Sequence, residues 1–418
     1  MQTFSARSLR ILYAAGPGNV ASTYEHWQQG QDDPSQVAVT YSSQFFDVCC
    51  QLNASAYVIA SHPDRRILRD GPFVIEHRPK RFEHIPCGYH LGQLWYGLQL
   101  IRTAIWFRAD VAVVSSGTTY WFMLSLLKWL GIAVVPSLHC VLWRKHGGAR
   151  GSERVTNAID RRFFRYACHS ILTVSQDVMS QVQEITRQHC PIFLFNPTYR
   201  AHVFQTIPPA DTTTRPFRVL YVGRMETEKG VWDILAMAQR LAAAGHCQIV
   251  FDLCGEGSQL PAIQTAIQQV GLAGQIICHG HCNQTRLRSM FSHAHVVLVP
   301  TRKEFVEGFN KVVAEAILAG RPIVTSDVCP ALAYVRQAAV EVLPEDVAAY
   351  AEAILRLATD PEFYQQKQHA TGALQGQFYN HRSSWGRALK LVLRSIEVSY
   401  PARSASIPAR LHQMLPSR

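Results

Sequence analysis

The stretch Arg218-Val-Leu-Tyr-Val-Gly-Arg-Met-Glu-Thr-Glu-Lys-Gly230 constrains the fold of this chain more than any other. Val219 to Val222 form a short apolar run that suits a buried strand. Gly223 ends the run, and Gly230 precedes a helical pattern from Val231 to Ala244. A strand that turns through glycine into a helix is the unit of an open α/β sheet, where ligands bind beyond the carboxyl ends of the strands. Arg224 and Lys229 stand in the turn. Arginine supplies a planar fork of donors and lysine a mobile point charge, so the loop suits a phosphate.

A second stretch, Glu307-Gly-Phe-Asn-Lys-Val-Val-Ala-Glu315, points the same way. Helical spacing would set its two carboxylates about 80° apart around the axis. Glu307, however, precedes the regular helix, and Glu315 lies inside it. The helix start between them exposes unpaired N–H groups and the positive end of the dipole, which suits a diphosphate. One carboxylate can then face a sugar and the other a ribose. Either stretch alone is an ordinary solvated turn or helix start; the two together form a constellation.

The order Gly223-Arg224…Lys229-Gly230, Cys254-Gly-Glu-Gly257, His279-Gly280, Glu307 to Glu315, and Ala319-Gly-Arg-Pro-Ile-Val324 resembles the retaining glycosyltransferases of family 4. The likeness covers residues 216–375 well and the first half loosely. It implies an α/β protein of GT-B architecture: two Rossmann-like domains facing across a cleft, with a C-terminal helix crossing back to the first. It implies that Arg224 and Lys229 hold the donor diphosphate, with backbone N–H groups at Gly308, Phe309 and Asn310. Glu307 would touch the donor sugar and Glu315 the ribose hydroxyls. Asn310 departs from the family, which has glycine there, and this leaves the donor open.

Length and composition fit that expectation. A chain of 418 residues is long for one core and natural for two domains. The polar start, Met1 to Arg10, and the short run Ile11 to Ala15 predict a first strand rather than a secretory segment. Eleven scattered cysteines show no disulfide spacing and fit reduced thiols in a cytoplasm. Cys278-His-Gly-His-Cys282 has zinc-ligand residues, but a strand alternates its side chains, and structural zinc ligands come as two separated pairs. Asp32 and Asp33 sit in a polar loop with no further support for a metal. A metal-independent transfer without a cofactor is expected, with a UDP- or GDP-sugar as substrate.

In the first half, Arg10 to Ala15 leads into the turn Gly16-Pro-Gly-Asn19. The family turns this loop toward the cleft, so Gly16, Gly18 and Asn19 are site candidates beside the reading as a plain turn. Ala56 to Ala60, Val111 to Val114 and Ala133 to Leu138 read as further strands. The last ends at His139, at a carboxyl end where sites lie. The family places a histidine here, close to the donor sugar, making His139 the second catalytic candidate after Glu307. Ile171 to Ser175 resembles the last strand of the first domain, with Ser175 as a helix N-cap. These patterns divide the chain into a first domain at 1–200, a linker at 201–215, a nucleotide-sugar domain at 216–380, a crossover helix at 381–398 and a flexible tail at 399–418.

The net charge of +11 concentrates in part at Arg144, Lys145, Arg150, Arg154, Arg161, Arg162 and Arg165. Such cations suit a donor or acceptor phosphate, or anionic lipid at the inner face of a membrane. Tyr120 to Leu130 is apolar and too short to span, and reads as a buried helix. No nucleic-acid reading module is present. The expected protein transfers a sugar from a nucleotide donor to a glycan or lipid-linked acceptor with retention, in cell-envelope polysaccharide or glycolipid synthesis. A GT-B epimerase and a non-catalytic nucleotide-sugar binder are the alternatives.

Overall fold

The computed structural model describes residues 8–81, 88–146, 151–211 and 213–399. The first half holds strands β1 (Arg10–Gly16), β2 (Ser55–Ala60), β3 (Arg66–Asp70), β4 (Phe73–His77), β5 (Val111–Ser115), β6 (Ala133–Leu138), β7 (Ile171–Thr173) and β8 (Ile192–Leu194). They form one sheet in the order β3-β4-β2-β1-β5-β6-β7-β8. The second half holds β9 (Phe217–Val222), β10 (Ile249–Cys254), β11 (Ile276–Gly280), β12 (Val296–Val299), β13 (Ile323–Ser326) and β14 (Ala339–Val342), in the order β11-β10-β9-β12-β13-β14.

Every pairing is parallel except β3 with β4. The central strands are largely apolar because helices cover both faces; all of β5 and all of β10 are buried, the latter including Asp252, which is paired. β3 is the exception, exposed at the edge and carrying Arg66 and Arg69, charges that discourage pairing with another chain. Helices α1 (Val20–Gln28), α2 (Tyr41–Gln51), α3 (Gly88–Phe107) and α4 (Ser125–Trp129) belong to the first half. The order of strands reverses between β1 and β5 and again between β9 and β12, which opens a crevice at the carboxyl end of each sheet.

The C-terminal helix Trp385–Ser399 packs on α2, so the chain crosses back to its first half as the GT-B architecture requires. Buried Trp385 donates from Nε1 to Ser137 Oγ at 2.8 Å, and Gly386 N donates to Gln44 Oε1 at 2.8 Å. Arg321, in the Ala319 to Val324 stretch, is fully buried and donates to the carbonyls of Phe291 and Pro208. It therefore ties the connection between the halves to the second sheet. His279, in the cysteine- and histidine-rich segment, lies on β11 with Nε2 2.7 Å from Asp252 Oδ1. Arg218 grips the same carboxylate twice at 2.8 Å. Among the described residues no group of three or more such side chains is placed to hold a metal ion.

Two expectations need correction. Tyr120 to Leu130 is not one buried helix but a 3-10 turn, Trp121–Leu124, followed by α4. Leu124 and Leu127 enter the core, while Leu126, Trp129 and Leu130 stay exposed, because so short a helix has only one face against its neighbours. Nor is Ile171 to Ser175 the last strand; β8 follows it at the edge, three residues long and too short to leave a periodic signal. Ser175 caps the next helix by accepting from Val178 N. The tail 400–418 lies outside the described residues.

Candidate active site

The crevice of the second sheet is where the two sequence stretches meet. Gly230 adopts φ +79°, and a Cβ there would stand 2.2 Å from the Pro300 carbonyl oxygen. Only glycine lets the loop after β9 press so closely on the loop after β12. A cavity of about 180 Å³ lies between them, lined by the ends of β9 and β12 with Lys229, Glu307, Asn310 and Lys311.

Glu307 is the hub. Its Oε2 is 2.6 Å from Lys229 Nζ and accepts from Asn310 Nδ2 at 3.1 Å. Lys229 also stands 3.6 Å from the centroid of the Phe305 ring, over its negative face. Asn310 has φ +69°, a backbone glycine adopts freely and asparagine tolerates better than other residues. The departure from the family is thus sterically accommodated and adds a hydrogen bond to Glu307. Arg224 behaves differently: its side chain is 58% exposed at the rim, loosely paired with Glu228 at 3.7 Å.

Glu307 also lines a second cavity of about 290 Å³, shared between Trp143, Arg144 and His146 of the first half and Lys303 and Phe305 of the second. Arg144 Nε donates to the Glu304 carbonyl at 2.7 Å, and His146 Nε2 meets Asp327 Oδ1 at 2.9 Å across the seam. Gly308 packs directly on the backbone of His139; a Cβ there would come within 1.8 Å of the His139 carbonyl oxygen.

His139 is half-buried, with Nδ1 shielded and its ring against Tyr41. Trp385 donates to Ser137 Oγ, and Ser137 Oγ is 3.0 Å from His139 Nε2. The Ser137 hydroxyl can then donate to Nε2, which assigns the ring proton to Nδ1, an atom without a partner among the described residues. Burial, helped by the Lys311 charge, pushes the imidazole down to about 3, so it is neutral at physiological pH. The ring therefore carries an uncharged N–H at a shielded Nδ1, and it is the His139 backbone that meets Gly308.

Other expected site residues lie apart. Glu315 is buried and does not line the 180 Å³ cavity. Burial raises its carboxyl to about 7, against the lowering effects of the Lys311 charge and the Tyr199 hydroxyl. Between its ordinary value of 4.5 and about 7, the folded protein holds a proton that the unfolded chain has lost. Stability therefore falls as pH rises through that window, by up to about 1.4 kcal/mol per unit. Denaturant unfolding at pH 5 and pH 8 should show this fall in the wild type and not in Glu315→Gln; parallel profiles would remove Glu315 as its source. Gly16, at the carboxyl end of central β1, has φ +88°, and Asn19 caps α1 by accepting from Ser22 N at 3.0 Å. The Gly16, Gly18 and Asn19 turn lines none of the cavities described here.

Three participants escaped the sequence reading. Phe305 carries the Lys229 ammonium, Lys311 lines the nucleotide-side cavity, and Tyr41 brings its ring to both Lys311 and His139. A lysine four residues after Glu307 in an apolar helix start was the available signal for Lys311.

Two family models match the chain: Glycosyl transferases group 1 over residues 205–371 and Glycosyltransferase Family 4 over residues 49–193. A glycogen synthase of Mycobacterium tuberculosis is 34% identical over 161 residues, 38% of this chain and 37% of that protein. The chain thus spans little more than a third of that relative. An alpha-D-kanosaminyltransferase of Streptomyces kanamyceticus is 25% identical over 278 residues, 63% of this chain and 70% of that one. Among solved structures, the alpha,alpha-trehalose 6-phosphate synthase of Burkholderia multivorans superposes with a TM-score of 0.70 at 15% identity, covering 94% of this chain and 99% of its own. Anabaena HepE in complex with UDP and glucose superposes with a TM-score of 0.62 at 13% identity, covering 94% and 100%. The chain therefore has the GT-B fold, with residues 205–371 matching Glycosyl transferases group 1 and residues 49–193 matching Glycosyltransferase Family 4.

Proposed function

We propose that the protein is a glycosyltransferase that moves a sugar from a nucleoside-diphosphate donor to an acceptor hydroxyl. The observation that carries this reading is the Lys229–Glu307 pair, set at the switch point of the second sheet where the two cavities meet. The donor diphosphate lies against Lys229, Arg224 and the backbone at Gly308, Phe309 and Asn310, and draws Lys229 off Glu307. Glu307 is then free to take the sugar hydroxyls, with the His139 backbone packed on the adjacent Gly308. Glu315, buried one turn further along the same helix, serves the ribose only once donor binding opens its carboxyl to the cavity.

In the transfer, the bond from the anomeric carbon to the diphosphate oxygen breaks, and a bond to the acceptor oxygen forms on the same face. The acceptor proton passes to the departing phosphate oxygen, so configuration is retained. The two cations stabilise the leaving charge without a metal. The donor is a UDP- or GDP-sugar; the HepE complex, which holds UDP and glucose, supports the former. The acceptor is a glycan or lipid-linked sugar of cell-envelope polysaccharide or glycolipid synthesis. The protein works from the cytoplasm against an anionic membrane surface, to which its net charge of +11 is complementary. No helix among the described residues is long and apolar enough to cross a membrane.

The test is a thermal-shift panel of UDP, GDP and ADP with their sugars, followed by assay of released nucleoside diphosphate. Stabilisation by one nucleotide, lost in Arg224→Ala, and acceptor-dependent release are expected. An isomerised donor without release would make the protein an epimerase, and binding without turnover a scaffold. No shift in folded protein would overturn the donor site.

A further inference from the structure

A cavity of about 700 Å³, larger than either at Glu307, lies in the first half between the β3–β4 hairpin and α3. Arg65, Arg66, Arg78, Arg81 and Arg102 line it, against the single carboxylate of Glu76. Arg78 is committed to Glu76 through two hydrogen bonds of 2.7 and 2.6 Å, and Arg66 pairs with Glu25 outside the cavity. Arg65, Arg81 and Arg102 have no carboxylate partner among the described residues. So many guanidinium groups repel one another unless an anion sits among them.

Two further features separate this cavity from a patch of solvated arginines. Tyr96 lines it, is 98% buried as its 2% exposure states, and its hydroxyl has no partner among the described residues. A buried polar group without a partner is uncommon and points to a ligand atom. Gly92 of α3 leaves room for the Arg81 backbone, since a Cβ there would meet the Arg81 carbonyl oxygen at 2.6 Å. That close approach keeps Arg81 at the cavity.

The cavity is continuous with an apolar surface. Leu91, Trp95, Leu98 and Ile105 recur on α3 at spacings of three, four and seven residues, with Arg102 in the same stripe. They are 39–57% exposed, and Trp95 and Leu98 line the cavity itself. Neighbouring α4 adds Trp129, 86% exposed. A phosphate-binding arginine cluster that opens onto an apolar stripe fits a ligand with an anionic head and a hydrocarbon tail.

Position defines the rest of that ligand. β4, which ends at the cavity, stands four strands from β6, which ends at His139. At about 4.8 Å per strand, the two are roughly 19 Å apart. A hydroxyl next to the phosphate could not reach Glu307; one several sugars away could. We propose that this cavity binds the phosphate or diphosphate head of a lipid-linked glycan acceptor. Its tail lies on the outward stripe of α3, and its glycan runs along the carboxyl edge of the first sheet toward Glu307. This deepens the glycosyltransferase reading above and rests on it for the direction of the glycan.

Calorimetric titration with farnesyl diphosphate, inorganic diphosphate and farnesol tests it, in the Arg224→Ala/Lys229→Ala protein so that the donor loop contributes nothing. Farnesyl diphosphate should bind more tightly than inorganic diphosphate, and farnesol weakly. Adding Arg65→Glu or Arg102→Glu, both exposed, should weaken both diphosphates by roughly tenfold to a hundredfold. Leu98→Ser, which removes apolar contact without adding charge, should weaken only the farnesyl ligand. No binding, or binding indifferent to the arginine reversals, would overturn the site. Equal affinity for farnesyl and inorganic diphosphate would overturn the lipid-linked acceptor. UDP-induced stabilisation is measured separately on the same substitutions made in otherwise wild-type protein. Its presence alongside failed titration condemns the acceptor site alone; its absence in the wild type condemns the donor reading instead.

Discussion

Lys229→Ala is expected to lower the rate of sugar transfer by about a hundredfold to a thousandfold, the scale of losing one charge-stabilising donor from an active site. It should also destabilise the unliganded protein. Lys229 and Glu307 side chains are only 13% and 11% exposed, so removing the cation strands a mostly buried carboxylate. The Asn310 amide remains as its partner and offsets part of the cost. The loss should be about 2–3 kcal/mol, below the range for a fully buried broken pair. The two effects separate in a double variant. Lys229→Ala/Glu307→Gln carries no stranded charge and should recover most of the stability while remaining inactive. Denaturant unfolding and a coupled nucleoside-diphosphate assay on the four proteins of the cycle measure both. Rates near wild type in Lys229→Ala would refute the placement of the diphosphate.

Gly308→Ala should cost about a hundredfold in transfer by a different route. The added methyl would sit 1.8 Å from the His139 carbonyl oxygen, 2.5 Å from its carbonyl carbon and 3.0 Å from Cys140 Cα. All three are backbone atoms of the opposite half, so no side-chain rotation relieves the clash. The halves must separate by an ångström or more at the point where Gly308, next to Glu307, meets the His139 backbone, and displacements of that size cost about a hundredfold in rate. Nucleotide affinity should fall much less, because Lys229 and Arg224 belong to the second half. Small-angle scattering should show a larger radius of gyration for the variant. Unchanged turnover would mean that catalysis does not use this close approach.

Much of the second half was legible because its signals are local. The apolar run of β9, the glycines at 223 and 230 and the carboxylates at 307 and 315 each express a backbone rule in a few consecutive residues. The GT-B architecture followed from their order, and the structure and its neighbours agree. Asn310 was flagged as a departure, but its left-handed backbone and its bond to Glu307 became visible only in three dimensions. The first half was harder. β3 and β4 were not anticipated, because an exposed edge strand such as Arg66–Asp70 has no apolar alternation to betray it. The reading of 120–130 as a buried helix failed because apolar composition does not say whether a neighbour exists to cover it.

The sequence by itself determined the α/β units of both halves and the chemical kinds of residue at the crevice, while the crossing of the C-terminal helix was implied by the family resemblance. These depend on periodicity, turn chemistry and composition, which act over a few residues. Only the tertiary structure decided that Lys229 meets Glu307 across 78 positions, that Gly308 rests on His139, and that Glu315 is buried away from the cavity. It alone gathered arginines from 65 to 102 around one space beside an uncovered helix stripe. Such meetings are set by how sheets and helices pack, and packing joins residues whose separation along the chain carries no local signal.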